Sequence, residues 1–178
     1  MDEQQVGQEE PEIMCEHLVI VDVQELFFAV KKTFGKDSKV DFVKLQEYVR
    51  YLIRDPEVDN YRFIAYIVTG DKSEAFIRTL KSFDYEVVMR RRKPNAPQVS
   101  LSVNMALDIL EEIYTNDELK RVVVASSAEF MIPLSRFTEL HEVSLEILFP
   151  KDRVLEIVSR VANKSHVLPS SILLTDDF

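Results

Sequence analysis

Glycine is nearly absent from this chain. Gly7, Gly35 and Gly70 are its only three in 178 residues, too scattered to form a glycine-rich phosphate loop, which excludes a P-loop and a dinucleotide fingerprint. The glycine-flanked nucleophile elbow is missing too, so Ser127 belongs to no hydrolase triad that can be argued. The single cysteine, Cys15, excludes an internal disulfide and a thiolate zinc cage, and reads as an incidental thiol beside the amino-terminal tail. His17, His141 and His166 lack metal-ligand spacing and read as surface or strand-edge residues. No apolar run approaches the length that crosses a bilayer. Residues 1–16 are acidic and polar, unlike a signal peptide or a mitochondrial presequence. The expectation is an intracellular, cytoplasmic protein with no membrane partner.

The net charge of −9 is unevenly spread. Asp2, Glu3, Glu9, Glu10, Glu12 and Glu16 are six of the 31 acids, and no base lies among them. Beyond them the chain is close to neutral, with 25 acids against 22 bases. Residues 1–15 therefore read as a disordered acidic tail and 16–178 as one globular domain. The overall charge opposes nonspecific binding to nucleic acid, although Arg90-Arg91-Arg92-Lys93 forms a basic, proline-bounded loop.

Strand and helix patterns alternate along the domain. Leu18-Val19-Ile20-Val21 is a buried strand ending on Asp22, and Leu26, Phe27, Val30 and Phe34 follow at helical spacing, stopped by Gly35. Asp41 caps a second helix striped by Phe42, Leu45, Val49, Leu52 and Ile53, with Val40 placed to staple against Leu45. A strand over 61–68 precedes a helix opened by Asp71 and Glu74 in capping-box spacing, and a strand over 85–89 precedes the basic loop. A long helix ends near Asn116. The apolar run Val122-Val123-Val124-Ala125 reads as a central parallel strand, stopping at Ser126 and Ser127. Pro133 suits the first turn of the next helix. A strand over 143–149, a helix over 154–161 and a last short strand at Ile172-Leu173-Leu174 complete the pattern. The fold expected is α/β: a three-layer α/β/α sandwich around a mainly parallel sheet of five or six strands.

In this order, residues 17–178 resemble the NYN (LabA-like) domains of the PIN-like ribonuclease superfamily. The resemblance rests on Val19-Ile20-Val21-Asp22-Val23-Gln24-Glu25-Leu26-Phe27, on Val40-Asp41-Phe42-Val43-Lys44-Leu45, and on Tyr85-Glu86-Val87-Val88 before the basic loop. It continues through Pro97-Gln98 to Asn104 and through Val124-Ala125-Ser126-Ser127-Ala128-Glu129-Phe130 to Pro133. In that family, carboxylates on adjacent strand ends and one helix hold Mg²⁺ or Mn²⁺ for RNA hydrolysis.

Asp22 matches the family pattern, and Glu129 keeps a carboxylate at the second turn position. Glu25 stands where the family has Asn, Gln98 and Asn104 where a helix carries two aspartates, and Ser127 where the first turn aspartate lies. The resemblance therefore implies a PIN-like domain with an eroded metal site, acting by binding RNA, a protein partner or its own copies. The alternative is an active Mg²⁺- or Mn²⁺-dependent ribonuclease using the residual acids Asp22, Glu129 and Glu25, with Asp22 and Glu129 as ligands. Two plainer readings stand beside these. Asp22 and Glu129 could merely cap or end elements, Glu129 in capping-box spacing with Ser126. Arg90 to Lys93 could be a solvated loop rather than an RNA-phosphate contact.

Overall fold

The computed structural model describes residues 14–54, 60–69, 73–91, 101–127, 129–150 and 156–174, with the side chain of Arg91 left aside. Six parallel strands form its sheet: β1 His17–Asp22, β2 Tyr61–Thr69, β3 Tyr85–Arg91, β4 Arg121–Ala125, β5 Ser144–Phe149 and β6 Lys164–Val167. Their order is β3-β2-β1-β4-β5-β6. The helices are α1 Val23–Phe34, α2 Phe42–Ile53, α3 Glu74–Ser82, α4 Ser102–Thr115, α5 Met131–Leu140 and α6 Glu156–Val161.

The central position of β1 and β4 follows from their sequences. All six residues of β1 are buried, as are the last four of β4, because unbroken apolar runs need cover on both faces. On one face Phe42 of α2 meets Tyr85 and also Phe27 and Phe76, linking α1, α2 and α3 over β2 and β3. On the other, α4 reaches β2 through Glu112–Arg62 and Asp108–Tyr66, with α5 packed beside it. The result is the three-layer α/β sandwich, with an all-parallel sheet among the described residues. None of its described helices is long and apolar enough to cross a membrane.

Local signals act as their chemistry dictates. Asp41 accepts hydrogen bonds from the backbone N–H groups of Val43 and Lys44 at 3.0 and 3.1 Å, opening α2. Gly35 ends α1 at φ +122°, a backbone region closed to side chains with a Cβ. Asn116 follows α4 as its cap.

Several expectations need correction. The last strand is Lys164–Val167, whereas Ser170–Ile172 is a 3₁₀ turn and Leu173 makes one antiparallel bridge to Val40. The polar sequence Lys-Ser-His-Val concealed a strand that has one neighbour and is largely exposed; an edge strand needs no apolar run. Arg90 and Arg91 continue β3 rather than beginning a loop. Asp71 lies outside the described residues, and α3 starts after Ser73 without a side-chain cap bond. Residues 1–13 of the expected tail also lie outside them. Cys15 is no loose thiol: it is 2% exposed, and its carbonyl accepts from the Asn116 side chain at 2.7 Å. His17 is buried at the start of β1.

Candidate functional site

The sheet reverses its winding between β1 and β4. Successive strands spread outward from that line in both directions, so the connections leaving the carboxyl ends of β1 and β4 diverge to opposite faces, the topology at which α/β sheets place a ligand crevice. Asp22 ends β1 beside it, one residue past the Val21–Ala125 register pair, and Ser126 and Ser127 follow β4. The strand ends singled out in the sequence thus meet at the sheet's switch point.

Asp22 does two things there. Its side chain accepts from the Glu25 backbone N–H at 3.0 Å and caps α1. It is also 6% exposed, and burial, aided by the neighbouring Glu25 charge, pushes its carboxyl up to about 6; the helix N–H groups only partly offset this. Near neutral pH, a buried acid at the crevice is therefore poised to hold or release a proton.

Glu25 lies one helical turn on. Its Oε2 accepts from Ser126 Oγ at 2.7 Å, Ser127 Oγ at 2.7 Å and Ser127 N–H at 3.0 Å. Three donors on one carboxylate oxygen make a clamp between α1 and the β4–α5 turn. It also settles what Ser126 does. Its hydroxyl serves Glu25, and α5 begins after Phe130 with no side-chain cap bond, so the capping-box reading of Ser126 and Glu129 does not hold.

Glu129 is exposed before α5, with its backbone carbonyl accepting from Ile132 N–H. Asn104 is half-buried in the first turn of α4. Gln98, Arg92 and Lys93 lie outside the described residues. Arg90 is exposed at the end of the edge strand β3, with β2 between it and β1.

Two further residues lie here: Tyr66, whose spacing marks it only as a core strand residue, and Asp108. Tyr66 is the register partner of Asp22 on β2 and is fully buried; its hydroxyl donates to Asp108 Oδ2 at 2.5 Å. Burial and that carboxylate hold the phenol proton far above its usual range. Asp108 lies one turn after Asn104 on α4, so α4 does present an acid toward the sheet, at a position the family pattern does not mark. The i, i+4 spacing of Asn104 and Asp108 was the available signal.

A second polar centre lies at the opposite end of the sheet. Glu146 is 2% exposed on β5; Arg121 Nε lies 2.9 Å from its Oε1 and His166 Nε2 lies 2.5 Å from its Oε2. Ser144 Oγ donates to it at 3.1 Å. His166 is therefore a partner of a buried acid rather than a bare edge residue.

No protein-family model matches the chain, and no curated protein does. Among solved structures it is similar to a protein of unknown function from Vibrio parahaemolyticus, with a TM-score of 0.71 and 17% sequence identity. The match covers 93% of this chain and 100% of that one. At that identity the likeness concerns the fold.

Proposed function

We propose that this is a PIN-like domain of the NYN (LabA-like) type whose metal-binding acids are eroded, and that it acts by binding RNA or a protein partner. The observation that carries this reading is the clamp on Glu25. The carboxylate beside Asp22 is turned onto Ser126 and Ser127, so one of its oxygens is already occupied by three donors. Among the described residues, no group of three or more His, Cys, Asp or Glu side chains is arranged to hold a metal ion. On this reading the side chains at the described family positions argue against a strong divalent centre: Asp22 caps a helix, Ser127 bears no charge, and Glu129 faces solvent.

Binding chemistry is what such a crevice retains. It keeps a buried acid near 6 and, on the same edge of the sheet, the exposed Arg90. Incubating single-stranded RNA with the purified chain and Mn²⁺ tests the reading. Intact RNA, retained in a salt-dependent way that weakens when Arg90, Arg91 and Arg92 are neutralised, is the expected result for RNA holding. Intact RNA without retention removes the RNA-holding version and leaves protein binding as the version to test. Cutting that disappears in Asp22→Asn overturns the proposal and establishes the residual-acid ribonuclease.

A further inference from the structure

One face of α4 remains unexplained by the fold. Met105, Ile109 and Ile113 point into the core, as an amphipathic helix requires. Val103, Leu107 and Tyr114 nevertheless stay 65%, 57% and 60% exposed, and Leu110 lies in line with them, only partly buried. At about 100° per residue these four fall within about 60° of arc, a second apolar stripe beside the first. Tyr114 places the stripe on the side of α5, since its ring packs on Phe137 and His141 at 6.4 and 4.9 Å. Leu140, at the end of α5, adds another side chain that is 69% exposed.

From the spacing of this stripe we infer that α4 pairs with α4 of a second copy of the chain, antiparallel about a two-fold axis. Positions 103, 107, 110 and 114 are separated by four, three and four residues, which is the heptad spacing of a helix–helix seam. That spacing reads the same in both directions. An antiparallel pair therefore sets Val103 of one copy against Tyr114 of the other, and Leu107 against Leu110, each contact occurring twice. Self-complementarity of this kind is what an isologous interface demands.

The charges on α4 agree. The helix has no basic residue, and two of its three acids turn inward: Asp108 to Tyr66 and Glu112 to Arg62. Glu111 is left, and the antiparallel register sets it opposite Ala106 rather than against its own copy. The seam lacks the opposite charges by which a different protein would be selected. Its size sets the strength: α4 and α5 side by side, each about 10 Å wide and α4 about 21 Å long, present about 400 Å² in projection. Stable dimers bury about 800 Å² of accessible surface per partner, so this face falls below that class and supports only a weak pair. The expected association is reversible and in the micromolar range.

Sedimentation of the full chain from about 1 to about 200 µM tests this, with the dimer fraction rising across the range. Leu107→Glu, at an exposed position, keeps the circular dichroism spectrum and weakens dimerisation at least about tenfold, the equivalent of 1.4 kcal/mol. Cysteine pairing then checks the register. An equal mixture of Val103→Cys and Tyr114→Cys chains forms a disulfide-linked dimer under mild oxidation. Val103→Cys alone does not, because its two copies lie about 16 Å apart along the axis. A wild-type chain that stays monomeric throughout overturns the inference. So does a dimer untouched by Leu107→Glu, or cross-linking of Val103→Cys alone as efficient as that of the mixture.

Discussion

Asp22→Asn is expected to stabilise the fold at neutral pH and to do so less and less as the pH falls. Asp22 titrates at about 6 in the folded chain against 3.8 for an ordinary aspartate, so the folded state binds its proton more tightly than the unfolded state does. Between those values the native chain holds more protons, and stability falls as pH rises through the window. Two pH decades at 1.36 kcal/mol each make the full cost of ionising this buried group about 3 kcal/mol above pH 7, and only about 1 kcal/mol at pH 4.5. An amide carries no charge to bury and is as good an N-cap as a carboxylate. Urea denaturation of both proteins at pH 4.5 and 7.5 should therefore give a stability difference that grows by about 2 kcal/mol toward the higher pH. A difference of the same size at both pH values would refute the reasoning. It would mean that the helix N–H groups compensate the charge fully, and that burial is not what governs Asp22.

Other substitutions probe the rest of the framework. Glu25→Ala strips the acceptor from the Ser126 hydroxyl, which is 1% exposed, and should cost about 1–3 kcal/mol in urea denaturation, with Glu25→Gln losing clearly less. Glu146→Ala leaves Arg121 and His166 without their acid; because those side chains are 21% and 17% exposed, the expected loss is about 2–3 kcal/mol rather than the larger figure for fully buried pairs. Arg160→Ala, breaking the exposed pair with Glu156, should change stability by less than about 0.5 kcal/mol in the same assay. Gly35→Ala should lower the thermal midpoint through about 1–3 kcal/mol of backbone strain alone, since the nearest side-chain atom to a Cβ there is Ser38 Oγ at 3.8 Å.

The sequence was a good guide wherever a few neighbouring residues decide the outcome. The apolar runs of β1 and β4 announce buried parallel strands because they are too short for a buried helix and lack the alternation of a half-exposed strand. Asp41 and Gly35 mark helix ends because a cap depends on atoms two to four residues away. Asp22 was found for the same reason: a carboxylate closing an apolar strand is visible without knowing its neighbours. The β6 strand was missed because an exposed edge carries no such pattern.

What the chain alone determined is thus the alternation of strands and helices, the layered α/β class and the residues that end its central strands. The tertiary structure decided which of them meet. Glu25 reaches Ser126 and Ser127 across about a hundred residues, and Tyr66 reaches Asp108 across 42. Glu146 meets Arg121 and His166 because β4 and β6 flank β5. Such pairings depend on strand order, which no local periodicity encodes. Polar side chains leave no rhythm in the sequence, so their partners emerge only once the sheet is assembled.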